Sequence, residues 1–265
     1  MTDWWWAYLA LGAFVGFFSG LLGIGGGSAG VPVLAFVFAA KGFSPSHVVH
    51  LALGTSIASI LFTSASSVRS HHLRNAVNWR IVRTMVPGVL IGTFGGALLA
   101  GSLDVRLLSI AFTVLIFYFG SHMLMTNTPH PSGALPQAMA ISAFGAFIGF
   151  IASLSATAGA SVVVPFLVKR NVAIHEAIGT AAAIGWPIAA AGTAGYILGG
   201  INTPNLPGYA VGYVYLPALF GVVIASVLMA PIGAAVAHRM SGAILKKVFA
   251  IVLLTLATSM LLKFV

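Results

Sequence analysis

The sequence has very little charge, and acidic residues are almost absent from it. Of its 265 residues, 12 are Lys or Arg and 3 are Asp or Glu, so that 6% are charged. Soluble domains carry about 25% charged residues. A folded chain of this size needs a charged surface to stay dissolved in water. The composition therefore excludes a soluble enzyme, a nucleic-acid-binding module and a disordered tail.

Cysteine is absent altogether, which excludes disulfides, thiolate chemistry and cysteine-ligated metals. The sequence also has no HExxH, no Ser/His/Asp order and no metal-ligand spacing, so we predict neither an enzyme nor a bound metal or cofactor. The three acidic residues, Asp3, Asp104 and Glu176, all lie at the ends of apolar stretches. Because no carboxylate lies within a stretch, proton pumping or cation binding by buried carboxylates is not expected.

Apolar residues are abundant, at 59%, and the mean hydropathy is +1.06. Eight uncharged stretches are long enough, or nearly so, for a bilayer core of about 30 Å at about 1.5 Å per residue. Two further stretches, 28–40 and 158–168, are short and follow Gly/Ala/Ser-rich breaks, so each is predicted to be half of a hairpin. The fold class is thus an all-α integral membrane protein with 8–10 membrane segments, at 5–22, 28–40, 47–67, 84–101, 107–125, 137–155, 158–168, 177–198, 213–237 and 248–264.

The chain is an internal duplication. Residues 12–34 and 145–167 are identical at 11 of 23 positions, and the match resumes where His50…Gly54-Thr55 corresponds to His175…Gly179-Thr180. Internal similarity at one long period is typical of repeated structural units. We predict two membrane repeats, 1–128 and 129–265, which together form one transmembrane domain.

The positions of Lys and Arg predict how the repeats are oriented. If each repeat changes side an odd number of times, the repeats are inverted, both termini lie outside, and the basic residues divide nine inside to three outside. If only the short stretches fail to cross, the repeats are parallel and the division is five to seven. Cytoplasmic loops carry the excess of Lys and Arg, which favours inverted repeats in a bacterial inner membrane. Such repeats are typical of transporters that alternate access around a central site.

The two breaks are the first candidate substrate site. Glycine accepts backbone angles that other residues avoid, so the run containing Gly25, Gly26, Gly27 and Ser28 can end one helix and begin the next inside the membrane. Helix starts present unpaired N–H groups and bind anions without a buried cation. The second break has Gly159, Ala160 and Ser161 at the corresponding place. The alternative role is close helix packing through small residues.

Hydroxyl groups on the following helices are further candidates. Thr55, Ser56 and Thr180 are predicted to contact the substrate, because two hydroxyls related by the repeat would converge beside the two breaks. The alternative is a hydrogen bond back to a carbonyl of the same helix. His50 and His175 are candidates for proton coupling, since histidine titrates near neutral pH. Their alternative role is that of helix-start residues at the membrane interface.

These motifs resemble the TauE/SafE family of sulfite-exporter-like membrane proteins. The resemblance rests on Gly23-Ile-Gly-Gly-Gly-Ser-Ala-Gly-Val-Pro32, on Leu53-Gly54-Thr55-Ser56 and on the weaker second copy of each, and it covers essentially the whole chain. It implies export or uptake of small anions such as sulfite, sulfonates or related sulfur and carboxylate compounds. The second copy departs from the pattern, because it retains only Gly159 of the glycine run.

Two functions remain open on the sequence. The first is a secondary transporter, expected to export a small anionic substrate through the lipid bilayer. The alternative is an anion channel of the same architecture, which would show neither saturation nor counterflow. The sequence does not define the anion, the direction, a coupling ion or the oligomeric state.

Overall fold

The computed structural model describes residues 4–22, 27–125, 133–237 and 242–264. In these ranges the chain forms ten α-helices and one two-stranded antiparallel ribbon. The elements are α1 (Trp5–Leu22), α2 (Gly27–Ala40), α3 (Val48–Leu73), α4 (Trp79–Ser102), α5 (Val105–Met125), α6 (Ala138–Ser155), α7 (Ala160–Lys169), α8 (Ile174–Gly200), β1 (Ala210–Val211), β2 (Val214–Tyr215), α9 (Leu216–Ala237) and α10 (Gly242–Phe264).

Most of these helices are apolar, as predicted. Within the described residues, five are long and apolar enough to cross a membrane: α3, α4, α5 up to His122, α6 and α8. The short stretches form α2, of 14 residues, and α7, of 10 residues. Ten residues of helix span about 15 Å, which is half of a bilayer core. Neither α2 nor α7 is therefore long enough to cross alone without thinning of the bilayer.

Two helices extend beyond the apolar stretches that predicted them. Helix α3 continues to Leu73 through Arg69, and α4 begins at Trp79, before Arg80 and Arg83. Long basic side chains at a helix end lay their carbon stems on apolar surface and keep the charge in water. An apolar stretch therefore marks the part of a helix inside the hydrocarbon, while the helix itself continues into the interface.

At each break the chain reverses direction, so that the two helices on either side of the break form a hairpin. Lys41, just after α2, donates a hydrogen bond to Tyr8 Oη near the start of α1 (3.1 Å). Asn171, just after α7, donates from Nδ2 to the carbonyl oxygen of Gly133, ahead of α6 (3.1 Å). The chain therefore enters and leaves the pair α1–α2 at one end, and the pair α6–α7 likewise. We call these pairs the first and second hairpins.

The two hairpins enter from opposite ends of the helix bundle. Helix α4 connects these ends: near its start Gly88 packs on Ser142 of α6, and at its end Gly101 accepts a hydrogen bond from Tyr213 Oη (3.3 Å). Tyr215, two residues after Tyr213, accepts from Lys41 at the open end of the first hairpin (3.1 Å). We call the end containing Lys41 and Tyr215 the Tyr215 face, and the end containing Asn78 and Asn171 the Asn78 face.

Each hairpin packs along a long helix from the other half of the chain. In the first hairpin, Gly12 and Gly16 of α1 contact the backbone of Val222 and Ser226 of α9. In the second hairpin, Gly145 and Gly149 of α6 lie against the backbone of α4. Small residues at four-residue spacing allow membrane helices to approach this closely. Both hairpins are thus fixed along a glycine-lined helix surface.

Candidate functional site

The tips of the two hairpins meet inside the bundle. A Cβ atom on Gly27, the first residue of α2, would lie 2.6 Å from the carbonyl oxygen of Ala156 in the second break. It would also lie 2.5 Å from Cδ1 of Ile60 on α3. The two breaks predicted from the sequence are therefore adjacent in space. The predicted site residues Gly25 and Gly26 lie outside the described residues.

The second break has a backbone shape that explains its one retained glycine. Ala156 (φ 48°) and Gly159 (φ 72°) both adopt the left-handed conformation, at the end of α6 and the start of α7. Glycine occupies this region without strain, whereas alanine does so at a cost. In the aligned sequences Gly23 and Gly26 correspond to these two positions. The left-handed turn at Gly159 is thus the feature that the second copy retains.

Buried hydroxyl groups surround the hairpin tips. Ser56 is only 2% exposed, and its Oγ lies 3.2 Å from the Cβ position of Gly30, in the first turn of α2. Ser161 Oγ is buried in the first turn of α7. Neither oxygen has a hydrogen-bond partner among the described residues. Ser155 and Thr157 hydrogen-bond to each other across the second break (3.1 Å). An unpaired buried hydroxyl costs free energy, so such a group is available to a ligand.

The arrangement is chemically suited to an anion. Helices α2 and α7 both begin at the tips, and the first N–H groups of a helix have no partner within it and carry a partial positive charge. Ser28, in the first turn of α2, is 5% exposed, and Ala160, the first residue of α7, is 7% exposed. Among the described residues, those of the two tips include no Lys, Arg, Asp or Glu. The tips therefore offer neutral donors in a buried environment, where each donor interacts strongly with charge.

Thr55 and Thr180 each have a structural partner on the other half of the chain. Thr55 Oγ1 accepts a hydrogen bond from the backbone N–H of Tyr215, which precedes α9 (3.0 Å). Thr180 Oγ1 accepts from the backbone N–H of Asn78, which precedes α4 (2.9 Å). Both threonines are fully buried. The structure thus places them at opposite faces rather than together, and their substrate contact stays a prediction.

The glycine before each threonine makes a matching contact. Gly54 lies against the carbonyl of Tyr213, and Gly179 lies against the carbonyl of Ala76. The repeated Gly-Thr pair therefore docks a long helix onto the segment that precedes a helix of the other half. The sequence did not predict this role, because the two docked segments, 76–78 and 213–215, have little similarity to each other.

The two candidate histidines have different surroundings. His50 is 2% exposed, packs against the tilted ring of Tyr213 with ring centroids 4.9 Å apart, and has Nε2 3.0 Å from the carbonyl oxygen of Leu103. Because a carbonyl only accepts, Nε2 donates this bond. His175 is exposed at the start of α8. The structure does not bring His50 and His175 together, and their proton coupling stays a prediction.

Replacing Thr180 by valine separates the docking role from substrate binding. We expect Thr180→Val to lower stability, because a buried N–H left without a partner costs about 1–3 kcal/mol. Thr55→Val should act alike, whereas Thr255→Val, which removes an exposed hydroxyl bonded to Ile251 within α10, should not. The midpoint of thermal unfolding of the purified protein checks this. An unchanged midpoint with weaker anion binding would support substrate contact instead.

Comparison with known proteins identifies the family of this chain. Residues 8–260 match the family model described as sulfite exporter TauE/SafE. The chain belongs to the TauE/SafE family. It is accordingly a membrane transporter and a multi-pass membrane protein, as the resemblance of its motifs implied. No solved structure matches the chain significantly.

Curated relatives of this TauE/SafE protein carry general names. A "probable membrane transporter protein" of Haemophilus influenzae is 33% identical over 258 residues, covering 96% of this chain and 97% of the relative. A protein of the same description from Methanocaldococcus jannaschii is 29% identical over 71% of this chain and 74% of its own. One from Bacillus subtilis is 26% identical over 70% of this chain and 76% of its own.

Proposed function

We propose that this chain is a secondary transporter that exports a small anion by alternating access around the two hairpin tips. The substrate class is sulfite, a sulfonate or a related organosulfur or carboxylate compound. The observation that carries the proposal is the contact of Gly27 with Ala156, which unites two helix starts at one buried point. The family description, sulfite exporter, supports both the substrate class and the direction.

The donor set fits an anion that has one or more negatively charged oxygens. Ser56 and Ser161 offer buried hydroxyls, and the first turns of α2 and α7 offer N–H groups. Hydrogen bonds from neutral donors to an anion are charge-assisted and stronger than those between neutral groups. A site without a fixed cation can also release its anion more readily, as transport requires. Among the proposed ligands are therefore Gly25, Gly26, Gly27, Ser28, Ser56, Gly159, Ala160 and Ser161.

Inverted repeats are part of the proposal, and pairs of equivalent contacts support them. Thr55 accepts from the residue before α9 of the other half, and Thr180 accepts from the residue before α4 of the other half. Gly54 and Gly179 contact carbonyls two residues earlier in the same segments. The two hairpins enter from opposite ends. A two-fold axis in the membrane plane would relate every one of these contacts.

Cysteine labelling tests the inverted arrangement. The chain has no native cysteine, so a single introduced thiol reports one position. We expect Ser70→Cys, on the Asn78 face, to react only with reagents that reach the cytoplasm. Asn205→Cys, between α8 and β1, should react from outside, because the nine-to-three charge division predicts that both termini lie outside in a bacterial inner membrane. Reaction of both thiols from the same side would favour parallel repeats and contradict the arrangement.

Removing one unpartnered hydroxyl tests the site itself. We expect Ser56→Ala to weaken sulfite binding by about ten- to a hundredfold, since a hydrogen bond to a charged group contributes about 1.5–3 kcal/mol. Stability should not fall, because Ser56 Oγ has no described partner to lose. Ser161→Ala should act similarly. The control is Ser109→Ala, whose equally buried hydroxyl bonds to Val105 within α5.

Calorimetric titration of the purified variants with sulfite, sulfate, thiosulfate, sulfoacetate and small carboxylates makes this measurement and ranks the substrates. Unchanged affinity in both Ser56→Ala and Ser161→Ala for the tightest anion would contradict the assignment of the tips as the site. Weaker binding by only one of them would mean that the two hairpins contribute unequally.

A further inference from the structure

Two large hydrophobic clusters make up most of the described core, and they do not follow the two halves of the chain. One cluster lies between α4, α6, α7 and α8. The other lies mainly between α1, α2, α3, α5, α9 and α10, and it also takes residues from the far ends of α4, α6 and α8. Of two further clusters with three buried residues each, one lies within α3, β2 and α9, and the other joins α3 to the second break and α8. We call the six-helix group unit one and the four-helix group unit two. Each unit contains helices from both halves, since α4 belongs with the second hairpin and α9 with the first.

The Gly-Thr contacts lie within these units. Thr55 holds the start of α9 on α3, inside unit one, and Thr180 holds the start of α4 on α8, inside unit two. A second bond reinforces the contact in unit two, because Asn78 Nδ2 donates to Glu176 Oε1 of α8 (2.6 Å). Lys41 reinforces unit one by joining Tyr8 and Tyr215. The exchanged helices are therefore fastened at their first residues by buried or partly buried polar contacts.

At several points the units meet through small residues. Gly192 of α8 packs on Ile57 of α3, and Gly27 of the first hairpin packs on Ala156 of the second. Towards the Asn78 face the units border an open cavity of about 350 Å³ on the surface of the bundle. Its walls are α3 of unit one and parts of α4 and α8 of unit two, through Ala65, Val68, Arg69, His72, Trp79 and Trp186.

We propose that units one and two, and not the two halves of the chain, are the bodies that move during transport, with Thr55 and Thr180 as the positioning residues that carry α9 and α4 with the opposite half. This inference rests on the proposed alternating-access function. The substrate site lies on the boundary between the units, because one tip belongs to each. A shift of the units that closes the cavity on the Asn78 face would part the contacts around Tyr213 at the other face.

Two cysteine pairs distinguish the two ways of dividing the molecule. A cross-link between Asn78→Cys and Glu176→Cys would connect the two halves of the chain within unit two. A cross-link between Ala65→Cys and Trp79→Cys would connect unit one to unit two across the cavity, although both residues belong to the first half of the chain. A flexible bis-maleimide, whose thioether bonds sulfite does not cleave, should leave sulfite uptake intact in the first pair and block it in the second. The single-cysteine variants treated alike are the controls. Block of the first pair, or none in the second, would overturn the proposal.

Spin labels at the same pairs give a readout that needs no transport. We expect a narrow distribution of distances between the labels for the first pair and a broader one, altered by sulfite, for the second. Thr180→Val should broaden the first distribution, and Thr255→Val should not. Equal widths for the two pairs overturn the division into units. If the parent protein takes up no anion while the spectra differ as expected, the transport proposal fails and the division stands.

Discussion

Replacing Gly27 with valine is expected to abolish anion transport in a protein that still folds. The new Cβ would lie 2.5 Å from Ile60 Cδ1 and 2.6 Å from the carbonyl oxygen of Ala156. Both distances are shorter than carbon contacts allow, and one partner is backbone of the opposite hairpin. The two tips would therefore have to separate, and the branched side chain would fill the space between the helix starts.

The matched control for this substitution is Gly95→Val, on α4, because a Cβ at Gly95 meets nothing within 4 Å. Initial rates of uptake into proteoliposomes and the monodispersity of the purified protein are the two measurements. Gly27→Ala is the milder variant: overpacking costs about 1–3 kcal/mol of stability, so we expect a lower unfolding midpoint and an uptake rate between those of the parent and Gly27→Val. Normal transport by folded Gly27→Val would mean that the tips only pack.

Replacing Gly179 with alanine should destabilise the protein by about 1–3 kcal/mol, as insertion of a methyl group into a close-packed contact does. Its Cβ would collide with the carbonyl of Ala76, and neither group can move without shifting α8 away from the start of α4. Gly54→Ala should have a similar effect, because its Cβ would collide with the carbonyl of Tyr213. The hydrogen bonds of Thr180 and Thr55 would lengthen in the same variants.

Gly199→Ala serves as the control for both, since it lies on α8 and its nearest neighbour would be 3.7 Å from the new Cβ. Thermal unfolding of the purified variants measures the effect as a lower midpoint. Midpoints that match the parent in both Gly54→Ala and Gly179→Ala would contradict the docking role. A fall in only one would show that the two faces differ in rigidity.

The repeat in the sequence predicted which residues are equivalent but not what each one contacts. His50…Gly54-Thr55 and His175…Gly179-Thr180 do occupy matching places on α3 and α8. The prediction that Thr55 and Thr180 converge took no account of the direction of each side chain around its helix. Their backbone partners belong to connecting segments whose lengths and sequences differ, so no alignment of the repeats points to them.

The breaks were predictable because a run of glycine and small residues interrupts an apolar helix for a physical reason: glycine accepts backbone angles that end a helix. The short lengths of 28–40 and 158–168 indicated hairpins, and glycine in each break indicated backbone angles that other residues avoid, an expectation that the left-handed Gly159 fits. The exchange of α4 and α9 between packing units was not predictable. It depends on which apolar surfaces pack together, and nearly uniform apolar helices carry little pattern that selects a partner.

Substrate counterflow in proteoliposomes tests the central claim most directly. The purified protein is reconstituted, the vesicles are loaded with a high concentration of unlabelled sulfite, and entry of a trace of labelled sulfite is followed from outside. A carrier that alternates access around the hairpin tips predicts a transient accumulation of label above its equilibrium level, a rate that saturates with sulfite, and loss of both in Gly27→Val but not in Gly95→Val. Entry that rises linearly with concentration and shows no accumulation would contradict the account and identify a channel.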